Sequence, residues 1–438
     1  MGTSEVSTVY RSALTQLQAW KDKPNRKPLI IRGARQVGKT WLMKEFGRTS
    51  FANTAYINFD NNRRMRILFE DDYDLRRIIT ALQIESGEKI TPQDTLIIFD
   101  EVQEVPQALT ALKYFYENAP EYAVVAAGSL LGIAMHQGTN FPVGKVDELQ
   151  LYPLSYREFL LATDNAPLVD LLDGPDWPLI TTFKSKYIDL LRQYYYVGGM
   201  PEAVAAYAER GDFAEVRAIQ NVLLAAYEQD FSKHAPNNIV PRLRMIWQSI
   251  PAQLAKENRK FIYGMLRSGA RAKDFEVALQ WLSDCGLVHR VHRVSKPGMP
   301  LKAYQDWNAF KLYLLDVGLL AAMGGVDART LLGGSAIFTE FKGALTEQHV
   351  LQQLIAEAGV TPWYWSSEHG TGEIDFLFQQ GGTIVPLEVK AEENLRARSL
   401  RSFCEKYPGL RPVRTSMSDH RQEAWMENWP LYAIGQLK

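Results

Sequence analysis

The stretch Pro28-Leu-Ile-Ile-Arg-Gly-Ala-Arg-Gln-Val-Gly-Lys-Thr-Trp-Leu42 constrains this chain more than any other. An apolar run, Leu29 to Ile31, reads as a buried strand; Gly33 to Thr40 then fits G-x-x-x-x-G-K-[ST], and helix-compatible residues follow. A strand, a glycine loop and a helix in that order place free backbone N–H groups at a helix N-terminus, where a triphosphate can sit. Gly33 and Gly38 let the backbone turn tightly and approach the phosphates. Lys39 offers a flexible point charge to the β- and γ-phosphates, and Thr40 a hydroxyl ligand for Mg²⁺. Gly33, Ala34, Arg35, Gln36, Val37, Gly38, Lys39, Thr40 and Trp41 are therefore the expected nucleotide contacts, with ATP and Mg²⁺ as the cofactors.

A second motif gives the loop its partner. Thr95-Leu-Ile-Ile-Phe-Asp-Glu101 is an apolar strand ending in two carboxylates, the Walker B pattern. Asp100 is expected on the metal side and Glu101 as the base that polarises the attacking water. Pro106 to Asn118 reads as a helix and Tyr122 to Ala127 as a further strand closing in Gly128-Ser129. In ATPases with an extra strand between the two Walker strands, the tip of that strand carries a polar sensor of the γ-phosphate. Ser129 is the candidate, beside its plain reading as a turn serine. A last strand through Leu149 completes an expected five-strand parallel sheet, with ligands at the carboxyl ends of its strands.

At 438 residues the chain calls for two or three domains. A formal charge of −1 rules out a strongly basic protein, although a balanced total can hide a basic patch. Cys285 and Cys404 lie far apart with no metal spacing, as expected of reduced thiols. The N-terminus lacks an apolar leader and no run approaches the length of a membrane span, so the expected location is cytoplasmic, with no membrane partner.

The combination G-A-R-Q-V-G-K-T, I-I-F-D-E-V-Q, A-A-G-S-L-L, F-P-V-G-K-V-D-E-L-Q-L-Y-P-L-S-Y-R-E-F and Y-V-G-G-M-P-E-A-V resembles the prokaryotic AAA-type ATPases whose C-terminal half is a domain of unknown function. The resemblance covers nearly the whole chain and includes Phe310-Lys-Leu-Tyr-Leu-Leu-Asp-Val-Gly-Leu-Leu320. It implies ATP binding and hydrolysis to ADP and a homo-oligomer, since such enzymes complete their site with a cation from a neighbouring subunit. Lys145 and Arg157 are candidates for that finger, and Arg35, inside the loop, could equally reach phosphate; each also reads as a solvated or salt-bridged surface cation.

Further along, Phe183 to Val197 has helical spacing and Gly198-Gly199-Met-Pro-Glu202 breaks it, either lining the nucleotide or simply turning between helices. Helices running into a hairpin over 240–318 suggest a winged helix. Lys256, Arg259, Lys260, Arg267, Arg271, Lys273, Arg290 and Arg293 make this the most basic stretch, read either as a DNA-contacting face or as a solvated one.

The last hundred residues carry another constellation. Glu347 falls on a helix, Asp375 on a strand, and Glu388 and Lys390 on one face of the next strand after a Gly381-Gly382 turn. This set resembles the PD-(D/E)xK nuclease core. The resemblance implies Glu347, Asp375 and Glu388 as ligands of a divalent metal and Lys390 as the catalytic cation, with charged groups on a buried sheet that would be costly unless compensated.

The expected fold class is α/β: a P-loop NTPase parallel sheet (1–165) with a helical lid (166–238), a winged-helix-like middle domain (239–325) and an α/β nuclease-like C-terminal domain (326–438). Two functions compete. One is an oligomeric ATPase acting on branched or broken DNA; the other is a nucleotide-dependent regulatory switch whose nuclease-like domain is catalytically silent.

Overall fold

The computed structural model describes residues 10–128, 141–256, 259–333, 339–367, 372–393 and 396–437. They divide into two compact units, one formed by Arg11–Tyr152 with Asp284–Leu287 and the other by Pro153–Ser283 with Val288–Lys438.

The first unit is a parallel sheet of β1 (Leu29–Arg32), β2 (Asn53–Asn58), β3 (Thr95–Asp100), β4 (Ala123–Ala127) and β5 (Asp147–Gln150). Its order is β2-β3-β4-β1-β5, and every pairing is parallel. β3 and β4 are buried along their whole length, as their unbroken apolar sequences require of strands covered on both faces. The order places β4 between the two Walker strands, as expected of the extra-strand class. Phe59, Phe69, Phe99 and Phe115 stack edge-on beside β3 and help fill the core. The charged segment after β2 forms its own helix, Arg63–Asp71, whose N-terminus is capped by the Asn62 side chain accepting from the Met65 amide at 3.2 Å.

The second unit holds the helices from Tyr156–Ala162 to Phe213–His234 and an eight-stranded sheet. Its strands are β6 (Val288–Val294), β7 (Gln305–Leu314), β8 (Trp363–Ser366), β9 (Glu373–Gln380), β10 (Thr383–Val389), β11 (Val413–Ser416), β12 (Arg421–Gln422) and β13 (Glu427–Pro430). The order is β12-β13-β11-β10-β9-β8-β6-β7. The hairpin expected as a wing is thus the far edge of this sheet, β6 joining β8 in parallel through Arg293 and Tyr364. An expected boundary at 325–326 falls between strands of one sheet. β9 and β10 form the expected hairpin, with positive φ at both Gly381 (55°) and Gly382 (79°), as a two-residue turn matched to strand twist needs.

Helix Thr339–Ala356 is buried yet rich in polar residues, because its glutamines replace missing backbone partners. Gln348 accepts the Leu314 amide at 2.9 Å and donates to the Leu314 carbonyl at 2.6 Å. Gln352 accepts from Val317 and Gln353 from the Tyr156 amide.

Candidate functional site

The glycine loop runs from β1 into the helix Lys39–Ser50. Gly33 has φ 152°, and a Cβ there would lie 2.4 Å from the Leu151 carbonyl oxygen, so no side chain fits. Gly38 caps the helix with φ 93° and no side-chain cap, leaving the first-turn amides of Lys39, Thr40 and Trp41 without intrahelical partners. Gln36 also adopts positive φ, 63°. Successive turns of this kind aim backbone N–H groups into one concavity, an anion nest.

Lys39 fills the middle of the loop, only 7% exposed. Its Nζ donates to the Gly33 carbonyl at 2.9 Å and the Ala34 carbonyl at 2.7 Å. Burial lowers its pKa to about 8, against the opposing charges of Glu101 and Asp100. Such an ammonium gains more from an incoming phosphate than a solvated lysine would.

Asp100 ends β3 and is 3% exposed. Its Oδ2 accepts the Thr40 hydroxyl at 2.7 Å and the Tyr56 hydroxyl at 2.9 Å, while Oδ1 accepts the Glu101 amide at 3.1 Å. A hydroxyl and a carboxylate that touch at the mouth of an anion nest fit Mg²⁺, which takes one or two protein oxygens beside phosphates. Glu101 has φ 52°, a left-handed conformation uncommon for glutamate, and its Oε2 accepts the Gln103 amide at 2.6 Å. The backbone strain turns Glu101 away from the run of the strand, beside Asp100.

Sequence reasoning missed Arg11. This arginine is 3% exposed and donates to the Val37 carbonyl at 2.9 Å and the Tyr152 carbonyl at 2.6 Å, tying the loop to the end of β5. Nothing in its local sequence separates it from an ordinary helix-flanking cation. Ser129 lies outside the described residues. The finger candidates Lys145 and Arg157 are ion-paired within the chain, to Glu117 at 3.0 Å and to Asp173, all four side chains being about one-third exposed or more. Arg35 is half-buried, and its charge contributes to lowering the Lys39 pKa.

Gly198 and Gly199 belong to the second unit, where their role is packing. The Gly199 amide donates to Asp316 Oδ2 at 2.6 Å, and a Cβ would lie 2.0 Å from the Leu154 carbonyl oxygen at Gly199 or 2.1 Å from Asp316 Oδ1 at Gly198. Among the basic residues of the middle segment, Arg259, Arg290 and Arg293 pair with Glu347, Glu276 and Asp306. Lys260, Arg267, Arg271 and Lys273 are exposed.

The structure does bring Glu347, Asp375, Glu388 and Lys390 together, and adds residues that the sequence did not announce. Glu347 is 3% exposed; its Oε1 pairs with Arg259, and its Oε2 accepts the Tyr313 hydroxyl at 2.8 Å with Lys311 Nζ 3.6 Å away. Lys311 is fully buried and also pairs with Glu373. Lys390 pairs with Glu388 Oε1 at 2.6 Å, and Asp375 accepts the Val389 amide at 2.7 Å. Asp375 and Glu347 share a hydrogen bond and their titrations split. Burial opposes ionisation of both, but Arg259 and Lys311 hold Glu347 down at about 2, whereas burial and the neighbouring Glu347 and Glu388 push Asp375 well up. Glu347, Glu373 and Glu388 pair with Arg259, Lys311 and Lys390, three carboxyl groups against three cations. Among the described residues no three His, Cys, Asp or Glu side chains are arranged to hold a metal ion. Within that expected ligand set, Glu347 already faces the Arg259 guanidinium and the Lys311 ammonium. Lys311 had a legible signal, a lone lysine inside the apolar run Ala309-Phe-Lys-Leu-Tyr-Leu314, where a buried ammonium demands a carboxylate.

Comparison with known proteins gives matches over three stretches of the chain. Residues 25–160 match an AAA domain. Residues 188–330 and 342–433 match two domains of unknown function, DUF8612 and DUF4143. The first region is thus similar to AAA domains over the stretch that carries the glycine loop and β3. An uncharacterized protein of Haemophilus influenzae is 26% identical over 204 residues, which is 44% of either chain, so the match spans less than half of that relative's length. Among solved structures, the Walker-type ATPase PABY2304 of Pyrococcus abyssi is 14% identical with a TM-score of 0.44, covering 72% of this chain and 96% of that one. The ORC2 protein of Aeropyrum pernix in ADPNP–ADP complexes is 13% identical with a TM-score of 0.37, covering 76% and 97%. The ORC1 protein of Aeropyrum pernix in complex with DNA is 13% identical with a TM-score of 0.29, covering 74% and 94%. Likenesses at these scores carry no inference about ligand or activity. Among the described residues no helix is long and apolar enough to cross a membrane.

Proposed function

We propose that this chain is an ATP-hydrolysing nucleotide switch whose C-terminal charged cluster is an internal ion-pair network. The phosphates lie in the nest of Gly33 to Trp41 with Lys39 against the β- and γ-phosphates. Thr40 and Asp100 hold Mg²⁺, which supplies charge neutralisation across the phosphates when bound. Glu101, once released from Gln103, orients and deprotonates the attacking water. Ser129 is the γ-phosphate sensor, Arg35 reaches phosphate from within the loop, and Lys145 or Arg157 completes the site across a homo-oligomer. The carrying observation is the contact of Thr40 with Asp100 Oδ2 at the mouth of the loop. The ion pairing of Glu347, Glu373 and Glu388 with Arg259, Lys311 and Lys390 supports the silent reading of the C-terminal domain.

A second reading, an ATPase acting on DNA with a metal-dependent nuclease, rests on one specific feature. Glu388 Oε2 is buried without a hydrogen-bond partner among the described residues, the kind of orphan that a metal would satisfy. In that reading Glu347, Asp375 and Glu388 bind the metal, Lys390 is the catalytic cation, and exposed Lys260, Arg267, Arg271 and Lys273 meet DNA phosphates. ATP turnover measured with and without single-stranded, duplex and branched DNA, together with Mg²⁺-dependent nicking, separates the two. The switch reading expects turnover indifferent to DNA and no nicking. Salt-sensitive DNA stimulation, or nicking lost in Lys390→Ala, overturns it.

A further inference from the structure

Tyr56 lies two residues from the C-terminal end of β2, paired in register with Ile98, so its side chain stands on the same face as Asp100 and diagonal to it. Its hydroxyl donates to Asp100 Oδ2 at 2.9 Å, sharing that oxygen with the Thr40 hydroxyl at 2.7 Å. The other oxygen is held by the Glu101 amide at 3.1 Å. The Lys44 ammonium, one turn beyond Thr40 on the loop's own helix, sits 3.9 Å from the centroid of the Tyr56 ring. Loop helix, β2 and β3 therefore meet through one phenol.

We infer that Tyr56 is a positioning residue of the nucleotide site, holding the Asp100 carboxylate against Thr40 so that both oxygens are set before Mg²⁺ and nucleotide arrive. The inference rests on the reading of this loop as an ATP site. Without Tyr56, Oδ2 would be held by the Thr40 hydroxyl alone, with the Glu101 amide on Oδ1, about a broad and soft terminal torsion. The phenol narrows that torsion with a second, charge-assisted hydrogen bond to Oδ2. Ring packing alone would be met equally well by phenylalanine. Only the hydroxyl reaches Asp100, which makes the two roles separable.

The test compares the full-length protein with Tyr56→Phe, measuring the Kd of a fluorescent ATP analogue in excess Mg²⁺ and in EDTA. In the wild type, Mg²⁺ tightens binding. In Tyr56→Phe the EDTA affinity is expected to match the wild type, while the Mg²⁺-dependent gain falls about tenfold, the scale of one hydrogen bond to a charged group. In an Asp100→Ala background the same substitution is expected to change nothing further, because its acceptor is gone. A Tyr56→Phe protein that keeps the full Mg²⁺-dependent gain overturns the inference. So does an equal loss of affinity in EDTA, which would assign the effect to packing. A wild type with no Mg²⁺-dependent gain would instead overturn the reading of the ATP site, and the inference with it.

Discussion

Arg259→Ala removes one cation from the charged cluster and leaves Glu347, 3% exposed, to be answered by what remains. Breaking a buried ion pair by deleting one partner costs roughly 3–5 kcal/mol, because the surviving charge is stranded. Here Tyr313 still donates to Glu347 at 2.8 Å and Lys311 still stands 3.6 Å away, so the lower end, about 3 kcal/mol, is expected. For a unit of this size that is a fall of roughly 6–12 °C in the melting temperature. Thermal unfolding at pH 7, followed by circular dichroism and calorimetry, reads it directly. The double variant Arg259→Ala with Glu347→Gln removes the stranded charge and is expected to recover more than half of the loss. Arg157→Ala, which breaks an exposed pair, is the control and is expected to cost less than about 1 kcal/mol. The reasoning is refuted if Arg259→Ala melts no lower than the control, or if the double variant is no more stable than the single. Selective recovery of Arg259→Ala by Mg²⁺ would also refute it, since a metal would then take the place of the guanidinium.

Other outcomes follow from the same contacts. Lys39 loses its proton above about pH 8 in the nucleotide-free protein, so ATP binding must restore it; affinity is expected to fall up to about tenfold per pH unit above that value, with proton uptake visible by calorimetry in buffers of different ionisation enthalpy. A Kd that stays flat to pH 9.5 would mean that Lys39 stays charged. Asp375→Asn keeps the shape of a group that already favours its neutral form, and is expected to leave the melting temperature unchanged or raise it; a fall of more than a few degrees contradicts the protonated assignment. Gly199→Ala would press a methyl group against the Leu154 carbonyl oxygen and is expected to cost about 3 kcal/mol, read by the same melting experiment. Wild-type stability in that variant would place the glycine pair elsewhere than in packing.

The elements of the candidate nucleotide site were largely legible because its parts are short-range. Gly33, Gly38, Lys39 and Thr40 are encoded within one turn of chain, and β3 announces Asp100 by an apolar run that ends in carboxylates. What was not legible depends on partners far away in sequence. The Gly198-Gly199 pair is explained by Asp316, which stands 117 positions from Gly199. Arg259 reads as one more cation of a basic stretch until Glu347, 88 positions on, is found beside it. The hairpin of β6 and β7 has the sequence of a free wing, and only its pairing with β8 shows that it closes the edge of a larger sheet. Arg11 escaped notice because both of its acceptors are backbone carbonyls, which leave no mark in a side-chain pattern.

Single-turnover ATP hydrolysis by Glu101→Gln tests the central claim most directly. The amide keeps the size of the side chain and removes its basicity, so the variant is expected to bind ATP as the wild type does. Its hydrolysis should be slower by at least about a hundredfold, the scale of a lost general base. Wild-type turnover in Glu101→Gln would contradict the assignment of this site as the hydrolytic centre.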